Sequence, residues 1–274
     1  MNLFSVLSLI LISLFLLGCG PMALFSAVGQ TVNNAAYNSA ERDLNKSQKS
    51  RGAKAHEVAV ANMHLGIEYM QQGAYENALT TLERSLLAKS DYAPTYNVLG
   101  LLYQRLDDPI ESERNYKKSI SFDSTNSSTH NNYGLLLCSN GRFDEAEAHF
   151  LNAANNPLYD SPEIALTNAG SCLFDDKPKV GESYFKKALD KNPLFSHALI
   201  KMADVSYNKN EYKSAYQYFK RYQENAKHTA KSLWIGIRIF KELNLTDDMS
   251  SYALLLRNQY PDTPEAKKLN ELQF

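Results

Sequence analysis

Residues 97–116 read NVLGLLYQRLDDPIESERNY, and residues 131–150 read NNYGLLLCSNGRFDEAEAHF. The two runs lie 34 residues apart and share one skeleton. A glycine (Gly100, Gly134) is followed after twelve residues by a small side chain (Ser112, Ala146) and after sixteen by an aromatic one (Tyr116, Phe150). Turn formers, Asp107-Asp108-Pro109 and Gly141, sit between the glycine and the small residue. This spacing predicts two helices, A and B, folded back on each other at the turn. Glycine inside a helix costs about 1 kcal/mol relative to alanine, so its recurrence at one phase implies a close approach that a larger side chain would block.

Working outward, the glycine or its equivalent recurs at Leu65-Gly66, Leu99-Gly100, Tyr133-Gly134, Ala169-Gly170, Met202-Ala203 and Ile235-Gly236, in steps of 34, 34, 36, 33 and 33 residues. Ala78 and Ala215 hold the small position, and Leu82 and Phe219 the bulky one; in the fourth unit both come one residue early, at Gly181 and Phe185. Pro157, Pro193 and Pro261 punctuate the ends of units. The pattern resembles the tetratricopeptide repeat (TPR). It implies an all-α superhelical solenoid of about six helix-turn-helix units over residues 58–262, the sixth degenerate, with residues 263–274 as a C-terminal cap.

The rest of the 274-residue chain fits this reading. A 44% hydrophobic composition with 11% aromatics can build a core, and 9 Pro with 12 Gly are too few for a turn-dense β fold. With 29 basic against 30 acidic residues there is no basic surplus for nucleic acid. Leu3 to Leu17 forms an apolar run of roughly 22 Å as a helix, short of the roughly 30 Å a bilayer core needs, and reads as a signal-peptide core. It ends Leu16-Leu17-Gly18-Cys19, which resembles the lipobox of bacterial lipoproteins: residues 1–18 are removed and Cys19 is lipidated. Met1-Asn2 lacks the usual basic residue, and Leu17 is bulkier than the usual small one. Gly20, where inner-membrane lipoproteins often carry Asp, points to the periplasmic face of the outer membrane. Residues 19–57, rich in Asn, Ser, Ala, Gln and Lys, read as a polar tether with some helix from Tyr37 onward.

Chemistry-bearing motifs are missing. The six histidines (His56, His64, His130, His149, His197, His228) form no metal-ligand spacing, and no nucleophile elbow or phosphate-binding glycine loop occurs. The sequence therefore predicts no enzyme, cofactor or small-molecule substrate. Cys138 and Cys172 fall near the same height on A helices of adjacent repeats. In an oxidising compartment they could bridge, closing a loop worth about 3–4 kcal/mol across the insertion after repeat three; two buried free thiols are the other reading. The TPR groove positions of repeat one are Val60, Met63, Ile67 and Met70, followed by Asn97, Leu101 and Gln104, then Asn131, Leu135 and Cys138. This stripe suits a partner polypeptide, with Asn97 and Asn131 placed to hydrogen-bond its backbone. Otherwise Val60 to Met70 packs against Tyr37–Glu57 as a cap.

A finer likeness is carried by Asn131-Asn132-Tyr133-Gly134 with Cys138, Glu145-Ala146 and Phe150, the inserted Pro157-Leu158-Tyr159, Tyr184-Phe185-Lys186-Lys187, Met202-Ala203-Asp204, Ser232-Leu233 with Gly236-Ile237-Arg238, and Leu255-Leu256-Arg257 to Tyr260-Pro261. With the lipobox, these runs resemble the type IV pilus biogenesis/stability lipoproteins, the PilF/PilW pilotin family. The resemblance implies a lipid-anchored outer-membrane protein that binds secretin subunits and promotes their localisation, multimerisation or stability. A TPR lipoprotein adaptor for another envelope machine, in peptidoglycan synthesis or outer-membrane protein assembly, would share the lipobox and the fold.

Overall fold

A computed structural model of the chain describes residues 22–271. These residues form α1 (Met22–Gln71), α2 (Tyr75–Ala88), α3 (Ala93–Arg105), α4 (Pro109–Phe122), α5 (Ser127–Ser139), α6 (Phe143–Asn155), α7 (Pro162–Leu173), α8 (Pro178–Lys191), α9 (Ser196–Asn208), α10 (Tyr212–Gln223), α11 (Ala230–Glu242), α12 (Thr246–Gln259) and α13 (Pro264–Glu271). Strands are absent among the described residues. The signal segment and Cys19 lie outside them, as does the end of the cap, 272–274.

The chain divides into two units, Met1–Val60 and Ala61–Phe274. In the first, the polar tether suggested by composition is replaced by helix from Met22 onward. No proline occurs between Pro21 and Pro94, and Ala, Glu, Lys, Arg and Gln lose little freedom in a helix. Residues 41–57 are exposed on every side apart from half-buried Ala55. Among the described residues no helix is long and apolar enough to cross a membrane.

In the second unit, α2 completes the first hairpin, and α3/α4, α5/α6, α7/α8, α9/α10 and α11/α12 are five more. The glycine positions explain the pairing. A Cβ on Gly100 would lie 2.5 Å from the Tyr116 ring, and one on Gly134 would lie 2.7 Å from the Phe150 ring. The bulky residue at +16 therefore rests on the glycine of its own repeat. Tyr116 and Phe150 are fully buried there.

The turns set the register. Gly73, Asp107, Gly141, Asn210 and Asn244 adopt left-handed backbone with φ between 57° and 77°. In each case the next amide bonds a carbonyl five residues back at 2.9 Å: Ala74 to Tyr69, Asp108 to Tyr103, Arg142 to Leu137, Glu211 to Ser206 and Leu245 to Phe240. Repeat four has a shorter turn, closed by the Lys177 amide on Leu173, which accounts for Gly181 and Phe185 coming one residue early.

The same landmark corrects the sixth repeat. Counting back from Asn244 as from the other turns, the residue equivalent to Gly134 is Ile237, not Gly236. The step from Ala203 is then 34 residues, the common period. Gly236 instead makes room for Phe219 of the preceding repeat, whose ring would lie 2.5 Å from its Cβ. At the true position the sizes are exchanged: Ile237 is large, and its partner sixteen residues on, Ala253, is small. Both belong to one buried cluster with Leu233, Leu256, Ala266 and Leu269. Ala266 and Leu269 come from α13, which closes the apolar end of the array.

From α3 onward the backbone of each A helix lies close to the next (α3–α5–α7–α9–α11–α13), whereas among the described residues the B helices meet only through long side chains, as Tyr184 does with Glu147 and Tyr252 with Gln223. The A helices therefore line the inner, concave side.

Candidate functional site

The residue following the glycine position on each A helix forms a row along the concave side: Ile67, Leu101, Leu135, Ser171, Asp204 and Arg238. The first three are aliphatic. Ile67 and Leu101 are half-buried, and Leu135 is 41% exposed. The last two are charged and paired, with Arg238 Nη2 at 2.5 Å from Asp204 Oδ1 and the guanidinium 4.4 Å over the Tyr207 ring. The groove thus changes from an apolar first half to a polar, charged second half.

Several residues expected to grip a partner are already occupied. Met63 and Met70 are 7% and 6% exposed and pack in the core with Leu82, Tyr96, Leu99 and Leu102. Their helix phase points them between repeats one and two, and the flexible thioether fills that joint. Val60 is half-buried. Asn97 accepts a hydrogen bond from Asn132 Nδ2 at 3.1 Å, and Asn131 accepts one from Asn168 Nδ2 at 2.9 Å. The asparagines form a ladder joining repeats two, three and four, since a buried amide must be satisfied and a neighbouring amide does so without ordering a partner. Sequence reasoning missed this ladder because its rungs pair non-equivalent positions of adjacent repeats. Among the expected contacts, Ile67 and Leu101 stay partly accessible, and Leu135 continues their row.

Cys138 and Cys172 are bonded, with Cα atoms 5.8 Å apart, and tie α5 to α7. This bridge and the asparagine ladder both hold the joint that carries the six-residue loop 156–161. On the outer edge a second ladder runs from the turn of one repeat to the B helix before it. Arg142 meets Glu113 at 2.8 Å, Lys177 meets Asp144 at 3.1 Å, and Lys209 meets Glu182. Burial pushes the Glu113 carboxyl up, but hydrogen bonds from Lys117, Arg142 and Tyr133 outweigh it and hold the pKa at about 2. Such partly exposed pairs contribute little each, up to about 1 kcal/mol, and chiefly fix the register.

Two histidines meet without making a metal centre. His130 Nδ1 and His149 Nδ1 are 2.8 Å apart, and His130 Nε2 faces the Ser124 carbonyl at 3.1 Å. That carbonyl can only accept, so Nε2 carries the proton. Burial, then the neighbouring His130, lowers the His149 pKa to about 4. Among the described residues, no group of three or more His, Cys, Asp or Glu side chains could hold a metal ion.

Comparison with known proteins separates family from fold. Tetratricopeptide repeat profiles match residues 93–126 and 115–148. The chain is 30% identical over 240 residues to the type IV pilus assembly protein PilF of Pseudomonas aeruginosa, covering 87% of this chain and 92% of that one. It belongs to the PilF family of type IV pilus biogenesis proteins. A solved structure of P. aeruginosa PilF superposes with a TM-score of 0.72 at 29% identity, covering 80% of this chain and 100% of that one. PilW, described as a widely conserved type IV pilus biogenesis factor, superposes with a TM-score of 0.68 at 26% identity, covering 78% and 98%. Membership in the PilF family favours pilus biogenesis over the other envelope machines that the lipobox and repeats alone would allow.

Proposed function

We propose that this PilF-family protein is a non-catalytic outer-membrane lipoprotein that binds secretin subunits of the type IV pilus system and promotes their localisation and multimerisation. The extent of its identity to PilF carries the reading. Cys19 would bear the lipid anchor, and multiple acyl chains hold a protein stably where one does not. The grip would lie on the aliphatic row Ile67, Leu101 and Leu135, the accessible apolar part of the groove. Confinement to the membrane raises the effective concentration of captured subunits, so the ring assembles without any bond in the partner being made or broken.

The test uses two variants in cells. Ile67→Glu should abolish heat-resistant secretin multimers while leaving helical content unchanged, because a carboxylate on an apolar contact must be desolvated unpaired. Cys19→Ala, exported through a soluble signal, should leave secretin in the wrong membrane. Normal multimers with Ile67→Glu would move the contact off this row, and normal secretin placement with Cys19→Ala would end the anchor reading.

A further inference from the structure

The loop between α10 and α11, residues 224–229, has six residues where most joints have four. Beside it, lined by residues of both repeats, lies a cavity of about 430 Å³. Ile200 of α9 and Ile235 of α11 line it, and Tyr222 and Ala226 add apolar wall. Lys201, Lys227 and Lys231 also line it. Among the described residues, none of the three has a carboxylate within 4 Å; the cavity's own acid, Asp204, is taken by Arg238. Lys201 is half-buried, and burial followed by the nearby Lys231 lowers its pKa against the weaker pull of Asp204 and Asp175, so two ammonium groups share an apolar wall with no carboxylate in direct contact.

We propose that this cavity is a second docking site, which takes an acidic segment of a partner polypeptide: one aliphatic or aromatic side chain enters the hollow, and flanking carboxylates pair with Lys201, Lys227 and Lys231. Charge complementarity selects this occupant. Three unpaired cations exclude a basic or purely apolar segment, and the apolar wall between Ile200 and Ile235 leaves a small inorganic anion with half of the site unused. The volume falls within the range of roughly 300–1,000 Å³ in which proteins enclose a ligand group. The site differs in chemistry from the aliphatic row of repeats one to three, so one groove can hold two unlike stretches of a bound chain. The inference goes beyond the secretin reading and does not depend on it.

The probe is a fluorescein-labelled, C-terminally amidated peptide with one Leu flanked on each side by Asp and Glu, titrated by anisotropy into the detergent-solubilised full chain. Saturable binding is expected. It should weaken at least about tenfold with Lys201→Gln/Lys231→Gln, with the peptide's Leu replaced by Ser, and on raising salt from low to several hundred millimolar. Ile67→Glu should leave it unchanged, which separates this site from the proposed secretin contact. Lys227→Gln, in the exposed loop, is the second variant should the double one unfold, and it should weaken binding severalfold. Unaltered binding in the folded lysine variants, equal affinity for the Leu-to-Ser peptide, or full displacement by millimolar inorganic phosphate would overturn the proposal.

Discussion

Repeats two and three and repeat six solve the same packing problem with opposite residues. In the former, glycine on helix A receives a large ring from helix B: Gly100 under Tyr116, Gly134 under Phe150. In the latter, Ile237 on helix A meets Ala253 on helix B. What the fold requires is a summed volume at the A/B crossing, not a glycine. A consensus motif records only the commoner way of dividing that volume, so a repeat can look degenerate in sequence and be complete in space.

The largest expected effect breaks this comparison directly. Ile237→Gly should cost about 4 kcal/mol, from the emptied volume and the loss of helix propensity. Adding Ala253→Phe should recover at least about half of it by rebuilding the division used in repeat three. Because neighbours alone stabilise each repeat, the loss should appear first as faster amide exchange in α11–α13. Equal exchange in single and double variants would refute the volume argument.

Next in size is the bridge at the lengthened joint. Cys138→Ser/Cys172→Ser should lower stability by about 3 kcal/mol. The wild-type chain should run 2 Da lighter than its fully reduced form, and a native mass equal to the reduced one would remove this staple from the comparison. The joint after repeat five has no such tie among the described residues and borders the lysine-lined cavity instead.

Acid should separate the two halves further. The His149 pKa of about 4 lies below the ordinary 6.5, so between those values the unfolded chain binds more protons than the folded one. Stability is therefore fully present above pH 6.5 and falls as the pH drops toward 4. Burial lowers His228, near repeat six, in the same direction. The melting midpoint should be roughly 2–8 °C lower at pH 5 than at pH 7. His149→Gln should flatten the profile more than His228→Gln, and identical profiles for wild type and both variants would contradict the assignment. The smallest effect belongs to the asparagine ladder: Asn132→Ala should cost about 1 kcal/mol and leave secretin multimers intact. Loss of multimers in a stably folded Asn132→Ala protein would return Asn97 to the role of a partner contact.

Much of the fold was legible because a TPR array depends mostly on local spacing. Gly66, Gly100, Gly134 and Gly170, with Leu82, Tyr116 and Phe150, mark their own helices and turns. The sixth register was misread because Gly236 imitates the motif glycine while serving Phe219 of the repeat before it. The groove was half legible. Spacing located the row through Ile67 and Leu101, yet Met63 and Met70 on the same helix are buried in the joint.

By itself the amino-acid sequence determined the helical hairpins, their number and the likeness to type IV pilus biogenesis proteins, because period and turn residues are properties of the chain along its length. Only the tertiary structure decided which side chains remain free. Whether an asparagine, a methionine or a lysine faces a partner or a neighbouring repeat depends on the crossing of two helices and the length of the loop between them. Those are settled by volumes and unpaired charges brought together from residues some thirty positions apart.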